Sequence, residues 1–123
     1  NVLTTLRDAG VSGLNLNIMA MDYGHPIDDM GKANADAYAN SVAQFAGVFK
    51  LDKITAEKRV MITPMIGEND TANEICTIDH AKQLAANLSS WVKTSFWSQG
   101  RDRQCPSTEM AKAEEARPAL SLN

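Results

Sequence analysis

The sequence predicts an α/β fold in which about three parallel strands alternate with helices. Three short segments are predicted as strands, residues 14–21, 60–66 and 92–98, and they are separated by stretches with helical periodicity. Strands that alternate with helices are typical of βαβ units, which form parallel sheets. The loops that follow the three segments are longer and more polar than the loops that precede them. We therefore expect any functional site at the carboxyl ends of the strands.

The first helix and the first strand are predicted from the spacing of their apolar residues. Apolar positions in residues 2–9 recur at helical spacing, and Gly10 is a typical signal for a helix C-terminus. Residues 14–21 alternate instead, which indicates a strand with two different faces. Its even positions are all aliphatic and are expected to pack against helices. Its odd positions include two asparagines, which need hydrogen-bond partners.

The middle of the chain contains the second helix and the second strand. Residues 33–50 are rich in alanine and place their aromatic residues on one face of a predicted helix. Residues 51–58 form a polar connection with some helical character. The next strand, 60–66, contains Pro64. Because proline cannot donate to a sheet ladder, we expect a bulge or a strand end there.

The last predicted units are a helix, a strand and a tail. Residues 78–90 carry an apolar stripe, and Thr77 before them is a plausible N-cap. The third strand is predicted at 92–98 and ends in a polar segment. From Pro106 onward the chain is rich in alanine and glutamate and has no strong apolar face.

Composition and charge exclude several classes of function. The 123 residues are enough for one ordinary domain, and the net charge of -3 argues against nucleic acid or an anionic membrane as partner. No apolar run approaches the roughly 20 residues of a membrane helix. No pattern of metal ligands or of cofactor binding is present, so we expect neither. Cys76 and Cys105 allow either a disulfide or two free thiols.

Polar and aromatic side chains lie where the predicted strands end. Asp22 and Tyr23 directly follow the apolar part of the first strand, Asn69 and Asp70 follow the second, and Trp97 ends the third. The backbone at the end of a buried strand is rigid, so it can position a side chain against a substrate to within a fraction of an ångström. These residues are the candidate site.

Three segments, in this order and spacing, resemble a known enzyme family. Residues 17–24 read Asn-Ile-Met-Ala-Met-Asp-Tyr-Gly, and residues 63–70 read Thr-Pro-Met-Ile-Gly-Glu-Asn-Asp. Residues 95–105 read Ser-Phe-Trp-Ser-Gln-Gly-Arg-Asp-Arg-Gln-Cys. Over roughly residues 1–105 the chain resembles the last third of a family 18 glycoside hydrolase, a chitinase.

The resemblance implies a partial TIM (β/α)8 barrel, with the three strands as strands six, seven and eight. Residues 1–105 would be the C-terminal portion of the catalytic domain, and 106–123 a tail of uncertain structure. The chain starts without Met inside a predicted helix, so we expect a fragment. The rest of the barrel would be needed to close the fold. The family also implies a secreted, extracellular parent protein.

The family's chemistry implies cleavage of β-1,4 bonds between N-acetylglucosamine units of chitin. The mechanism is retaining and substrate-assisted: the N-acetyl oxygen attacks the anomeric carbon, and a glutamate protonates the leaving oxygen. That glutamate belongs to an Asp-x-x-Asp-x-Asp-x-Glu motif on strand four, which is absent from this sequence. We therefore expect the chain to be inactive alone.

The resemblance also implies roles for individual residues. Asp22 and Tyr23 would position the distorted sugar and its acetamide. The substrate-binding candidates pack beneath the sugar, stack on it or reach its hydroxyls at the rim. They are Met19, Met21, Asn69, Asp70 and Trp97.

Two alternatives stay open at this point. The chain could be a non-catalytic carbohydrate-binding remnant that retains Trp97 and Asp22 without the general acid. It could also be an unrelated small α/β domain whose strands form an open sheet.

Overall fold

The structure is a computed structural model, and it describes residues 1–102 of the chain. Cys105, the possible disulfide and the predicted tail at 106–123 lie outside the described residues. The elements follow one another in the order α1 (Val2–Asp8), β1 (Leu16–Ala20), α2 (Met30–Phe49), α3 (Lys53–Glu57), β2 (Val60–Pro64), β3 (Gly67–Glu68), β4 (Ile75–Cys76), α4 (Ile78–Asn87) and a 3₁₀ turn at Gln99–Arg101.

Strands β1 and β2 are parallel and in register from Leu16 opposite Val60 to Ala20 opposite Pro64. Residues 93–97 run beside β2 on its other edge, also parallel to it. The order of the extended segments is therefore β1, β2, 93–97. The expectation of an α/β fold with parallel strands is confirmed.

The third predicted strand, 92–98, is not a continuous strand, because Pro64 interrupts its ladder. The bonds before the interruption are Ile62 N to Lys93 O at 3.3 Å and Ser95 N to Ile62 O at 3.0 Å. After it, Trp97 N donates to Pro64 O at 2.9 Å. The bond that residue 64 would donate is missing because proline has no N–H. The prediction that Pro64 lies at a strand end is confirmed, since it is the last residue of β2.

Helix α2 covers one face of the β1–β2 pair and forms the core with it. The buried side chains of this cluster are Ala20, Tyr38, Val42, Phe45, Ala56, Val60, Ile62 and Leu84. The other even-numbered residues of the first predicted strand, Leu14, Leu16 and Ile18, pack against the same cluster. The aliphatic face of β1 thus packs under helices as its alternation predicted.

The helix boundaries differ from the predicted ones where capping side chains decide them. Helix α2 begins at Met30 rather than at 33, because Asp29 is its N-cap and accepts a hydrogen bond from Lys32 N at 2.8 Å. Thr77 caps α4 as predicted and accepts from His80 N at 3.2 Å. Helix α4 ends at Asn87, before the predicted 90, and residues 53–57 of the polar connection form α3.

The loop after β2 contains a hairpin that the sequence pattern did not predict. Strands β3 and β4 pair antiparallel, with Gly67 opposite Cys76 and Glu68 opposite Ile75. Each strand has only two residues, so no alternation of polar and apolar residues can develop. The hairpin lies at the carboxyl end of β2 and forms one wall of the candidate site.

An open apolar groove lies on the helix side of residues 93–97. It has a volume of about 320 Å³ and is lined by Phe96, by Ile66 and by the α4 residues Leu84 and Leu88, among others. Phe96 is 49% exposed in this groove. The next residue, Trp97, faces the opposite side of the sheet, because side chains alternate along an extended segment.

Replacement of Phe45 by alanine is expected to lower the free energy of unfolding by about 3–5 kcal/mol, because it removes a large, fully buried side chain from the centre of the core. Urea unfolding followed by circular dichroism measures the change. Ile54→Ala is the control, since Ile54 is 54% exposed and its truncation should have little effect. Equal losses in the two variants would contradict this description of the core.

Candidate functional site

The odd-numbered face of the sheet is opposite the helices and carries an exposed apolar surface. Met19 lies opposite Thr63 in the β1–β2 register. Met65, which directly follows β2, is paired with Trp97 of the neighbouring parallel segment. Met19 is 56% exposed and Trp97 is 51% exposed, whereas Met65 between them is buried. These residues define the platform: Met19, Met65 and Trp97. The exposed side chains of Met19 and Trp97 can pack against the apolar face of a ring.

The two asparagines of the first predicted strand were expected to need hydrogen-bond partners, and Asn17 has one on the same face of the sheet. The hydroxyl of Thr63 donates to Asn17 Oδ1 at 3.0 Å. The bond joins neighbouring strands beside the platform. Met21, the next odd position after Met19, is half-buried at the end of β1.

Asp22 lies at the exit of β1 in the left-handed conformation, with φ of 50°. Its side chain is exposed, and Oδ1 accepts a hydrogen bond from Thr71 N at 2.9 Å. Oδ2 makes no hydrogen bond to any of residues 1–102, so it is open to a ligand. The carboxylate is therefore anchored on one side and available on the other.

Tyr23 is directed towards helix α2. Its hydroxyl donates to Asn34 Oδ1 at 2.8 Å. Burial, followed by the nearby charges of Glu74 and Cys76, raises the pKa of Tyr23 to about 12. The phenol thus stays protonated, and its donor is occupied by Asn34. Only the acceptor capacity of its oxygen is left for a further hydrogen bond.

Asn69 and Asp70 have different surroundings although they are adjacent. Asn69 is 5% exposed, and its Nδ2 donates to Met65 O at 3.2 Å and to Gly67 O at 3.1 Å. Its amide therefore holds the start of the hairpin. Asp70 is exposed, and Arg101 Nη2 lies 3.4 Å from its Oδ1. Of the two, Asp70 is the one placed at the rim.

Hydrogen bonds join the three loops that follow the extended segments. The loop after β1 is joined to the hairpin by Asp22 and Thr71. The hairpin is joined to the 3₁₀ turn because Arg101 Nη1 donates to Glu68 O at 3.0 Å. The predicted site residues from three separate parts of the sequence therefore lie along one edge of the sheet.

Two buried polar residues behind this edge were missed by the sequence analysis. Glu74 and Asn34 are both 0% exposed. Glu74 lies in a polar stretch between two very short strands, where a charged residue is normally solvated, so no periodicity indicates its burial. Asn34 lies in an alanine-rich helix at a position where a small apolar residue would be expected.

Within residues 1–102 no group of three or more His, Cys, Asp or Glu side chains could hold a metal ion. Over the same residues no helix is both long and apolar enough to span a membrane.

Comparisons with known proteins agree on one kind of enzyme. The chain is 31% identical over 115 residues to a "Probable bifunctional chitinase/lysozyme" of Escherichia coli (strain K12), and 30% identical to Endochitinase 11 of Metarhizium anisopliae. The catalytic domain of the hyperthermophilic chitinase from Pyrococcus furiosus has the same fold, with a TM-score of 0.71 and 26% identity over 85% of this chain. The chain is similar to part of a chitinase catalytic domain.

The resemblance to chitinases that the three sequence segments indicated is thereby confirmed. No protein-family model matches the chain. The match covers 83% of this chain but only 13% and 22% of the two curated relatives, and 35% of the Pyrococcus catalytic domain. A second similar structure, with a TM-score of 0.66 and 27% identity, is active domain 2 of a thermostable Pyrococcus furiosus chitinase, complexed as catalytic-site mutants with chito-oligosaccharides.

The tyrosines of this chitinase-like chain are expected to ionise about two pH units later than free tyrosine. Burial and a neighbouring carboxylate raise the pKa of both Tyr23 and Tyr38 to about 12 from the ordinary value of 10. Since the folded chain holds these protons more tightly than the unfolded chain, the contribution of the two tyrosines to its stability should be constant below pH 10 and fall between pH 10 and 12.

Ultraviolet absorbance of tyrosinate during an alkaline titration measures this directly, because the chain has only two tyrosines. Tyr23→Phe assigns the two transitions, and the chain in urea supplies the unperturbed reference. A transition centred near pH 10 in the folded chain that Tyr23→Phe removes would show that Tyr23 faces solvent.

Proposed function

We propose that residues 1–102 form the part of a chitinase TIM (β/α)8 barrel that spans its last three strands, and that they supply one side of an N-acetylglucosamine-binding cleft. The single observation that carries the proposal is the platform. In a barrel, the face opposite the helices lines the interior, and active sites lie at the carboxyl ends of the strands. The exposed Met19 and Trp97 lie on that face and near that edge.

The chemistry of the platform suits a pyranose ring. The indole of Trp97 is about half exposed, and Met19 beside β2 adds a second apolar surface. Sugars present C–H groups on one ring face, which pack on aromatic side chains, and hydroxyls at the ring edge, which need polar partners. Asp22 and Asp70 are exposed at the rim and provide acceptors of the kind that hydroxyl and amide N–H groups require.

Asp22 is the residue best placed to orient the acetamide in a substrate-assisted reaction. Its open Oδ2 can accept a hydrogen bond from the acetamide N–H, which would turn the carbonyl oxygen towards the anomeric carbon. Its negative charge would also stabilise the positive charge that develops on the acetamide. Tyr23 would support this turn through its bond to Asn34 and would offer its oxygen only as an acceptor.

Hydrolysis requires a proton donor that these residues do not supply. The sequence contains no Asp-x-x-Asp-x-Asp-x-Glu motif. Positioning and stacking groups cannot protonate the leaving oxygen by themselves. The chain therefore binds and orients, and the acid has to come from the first five strands of a complete barrel.

The partners follow from the same geometry. Over the described residues, β1 pairs only with β2, and residues 93–97 pair only with β2. Both outer edges thus offer unpaired backbone groups to further parallel strands, which the remainder of the barrel would supply. The second partner is chitin or its oligomers, and we place the reaction outside the cell, where chitin is met as a polymer.

A non-catalytic carbohydrate-binding role is the second candidate. The observation that favours it is the presence of the platform in a sequence without the acid motif. Both candidates predict sugar binding, and only the first predicts that missing strands can restore hydrolysis.

The isolated chain is expected to bind N-acetylglucosamine oligomers, and Trp97→Ala should abolish that binding because it removes the stacking surface. Isothermal titration calorimetry with a tetramer measures it. Trp91→Ala is the matched control, since Trp91 is 44% exposed and lies near Lys58, away from the platform. In that control Trp97 is the only tryptophan, so the tryptophan emission, excited selectively at a wavelength that tyrosine does not absorb, reports on Trp97 and should shift on binding.

Binding that survives Trp97→Ala unchanged would refute the platform as the sugar site. Absence of binding by a chain shown to be folded by circular dichroism would refute the proposal that these residues bind the sugar without the rest of the barrel.

Purified chain is expected to release no product from a chitin oligomer, whereas co-expression with a polypeptide that carries strands one to five and the acid motif should restore turnover. Product release is followed by chromatography of the oligomers. Asp22→Ala in the reconstituted protein should then reduce turnover by about 10²-fold or more, as expected for loss of a substrate-positioning group. Turnover by the chain alone would contradict the assignment of the acid to the missing strands.

A further inference from the structure

A fully buried carboxylate lies behind the turn that carries Asp22. Glu74 precedes β4 and is 0% exposed. Its Oε1 accepts a hydrogen bond from Gly24 N at 3.0 Å, and its Oε2 is buried without a partner among residues 1–102. A buried charged group is costly unless its interactions compensate for lost water. A carboxylate in this position therefore needs an explanation beyond hairpin formation.

The turn itself has an unusual backbone. Asp22 has φ of 50° and Gly24 has φ of 85°, so two of three consecutive residues are left-handed. Glycine adopts this region freely, but an aspartate does so only when its surroundings hold it there. The direction in which the Asp22 side chain leaves β1 depends on this turn.

Three hydrogen bonds hold the loop after β1 against the hairpin. Thr71 N donates to Asp22 Oδ1 at 2.9 Å, Gly24 N donates to Glu74 Oε1 at 3.0 Å, and Ile27 N donates to Asn73 O at 3.2 Å. The first bond is at the surface, where water competes for it. The bond to Glu74 is made by a side chain that water does not reach, and it lies in the middle of the three.

We propose that Glu74 is a positioning residue for the sugar site: it fixes the Gly24 amide and thereby holds Asp22 in the conformation in which Thr71 anchors one carboxylate oxygen and the other faces the acetamide. The consequence for sugar binding rests on the proposed function. The coupling between Glu74, Gly24 and Thr71 does not, and can be measured without any ligand.

Two variants of Glu74 show whether its role depends on the length of the side chain or on its charge. Glutamine keeps the length of glutamate and an oxygen that accepts from Gly24 N, and its amide nitrogen replaces an oxygen that makes no bond. Aspartate keeps the charge but is shorter by one carbon–carbon bond of about 1.5 Å, which takes its oxygen out of hydrogen-bond range of Gly24 N. Glu74→Gln and Glu74→Asp therefore separate reach from charge.

The experiment measures amide hydrogen exchange by NMR in the full chain, together with the dissociation constant for an N-acetylglucosamine tetramer. Glu74→Gln should retain the protection of the Gly24 and Thr71 amides and bind within about twofold of the parent chain. Glu74→Asp should lose about tenfold or more of the protection at both amides, and its affinity should fall about tenfold, as expected for loss of a hydrogen bond to a charged group.

Glu68→Gln and Glu68→Asp are the matched controls, because Glu68 is exposed on the same hairpin. Both should leave exchange and affinity unchanged. The amides of β2 report whether each variant is folded. If Glu74→Asp unfolds, Glu74→Gln alone tests the proposal. Retained protection of the Gly24 amide supports the positioning role, and lost protection overturns it.

Protection of Gly24 and Thr71 that persists in Glu74→Asp, or that is lost equally in Glu74→Gln, would overturn the positioning role. Failure of the parent chain to bind the tetramer would instead overturn the proposed function, and the exchange measurements would still decide whether Glu74 sets the turn. The two failures are therefore distinguishable.

Discussion

The packing of α2 across the β1–β2 pair is the interaction on which the rest of the structure depends. Phe45 is fully buried against Ile62 and Val60 in one core cluster, with Val42 and Tyr38 beside it. Because side chains alternate along a strand, burial of one face determines which residues appear on the other. A shift of the register by one residue would bury Asn17 and Met19 and expose the aliphatic residues of β1. The platform is therefore a consequence of the core.

The backbone near the site is held by polar groups rather than by long ladders. The hairpin strands contain two residues each, and the third extended segment is interrupted at Pro64. Where backbone hydrogen bonds between strands are lacking, side chains form hydrogen bonds to the backbone instead. Asn69 holds the start of the hairpin, Glu74 holds the turn after β1, and Arg101 joins the last turn to the hairpin. The bonds of Glu74 and Arg101 join segments that are distant in the sequence, whereas those of Asn69 are local to the hairpin. The site is consequently stiffened where its backbone is irregular.

The sequence predicted the parts of this molecule that have a periodicity. The alternation in residues 14–21 and the helical spacing in 33–50 correspond to β1 and α2, and the resemblance of three segments named Met19 and Trp97, but not Met65, as candidate residues. Features without a period could not be predicted. Burial of Glu74 depends on a hairpin too short to show a pattern, and the direction of Tyr23 depends on Asn34, a residue eleven positions later on another element. The earlier start of α2 depends on the single capping side chain of Asp29.

The methionines of the sheet face give the site a chemical vulnerability. Met19 is 56% exposed on the platform, whereas Met30 and Met65 are almost fully buried. Oxidation converts a methionine into a polar sulfoxide and proceeds fastest where the sulfur is accessible. Oxidants would therefore modify the surface on which a sugar would rest before they reach the core. A protein with this face could lose its ligand and keep its fold.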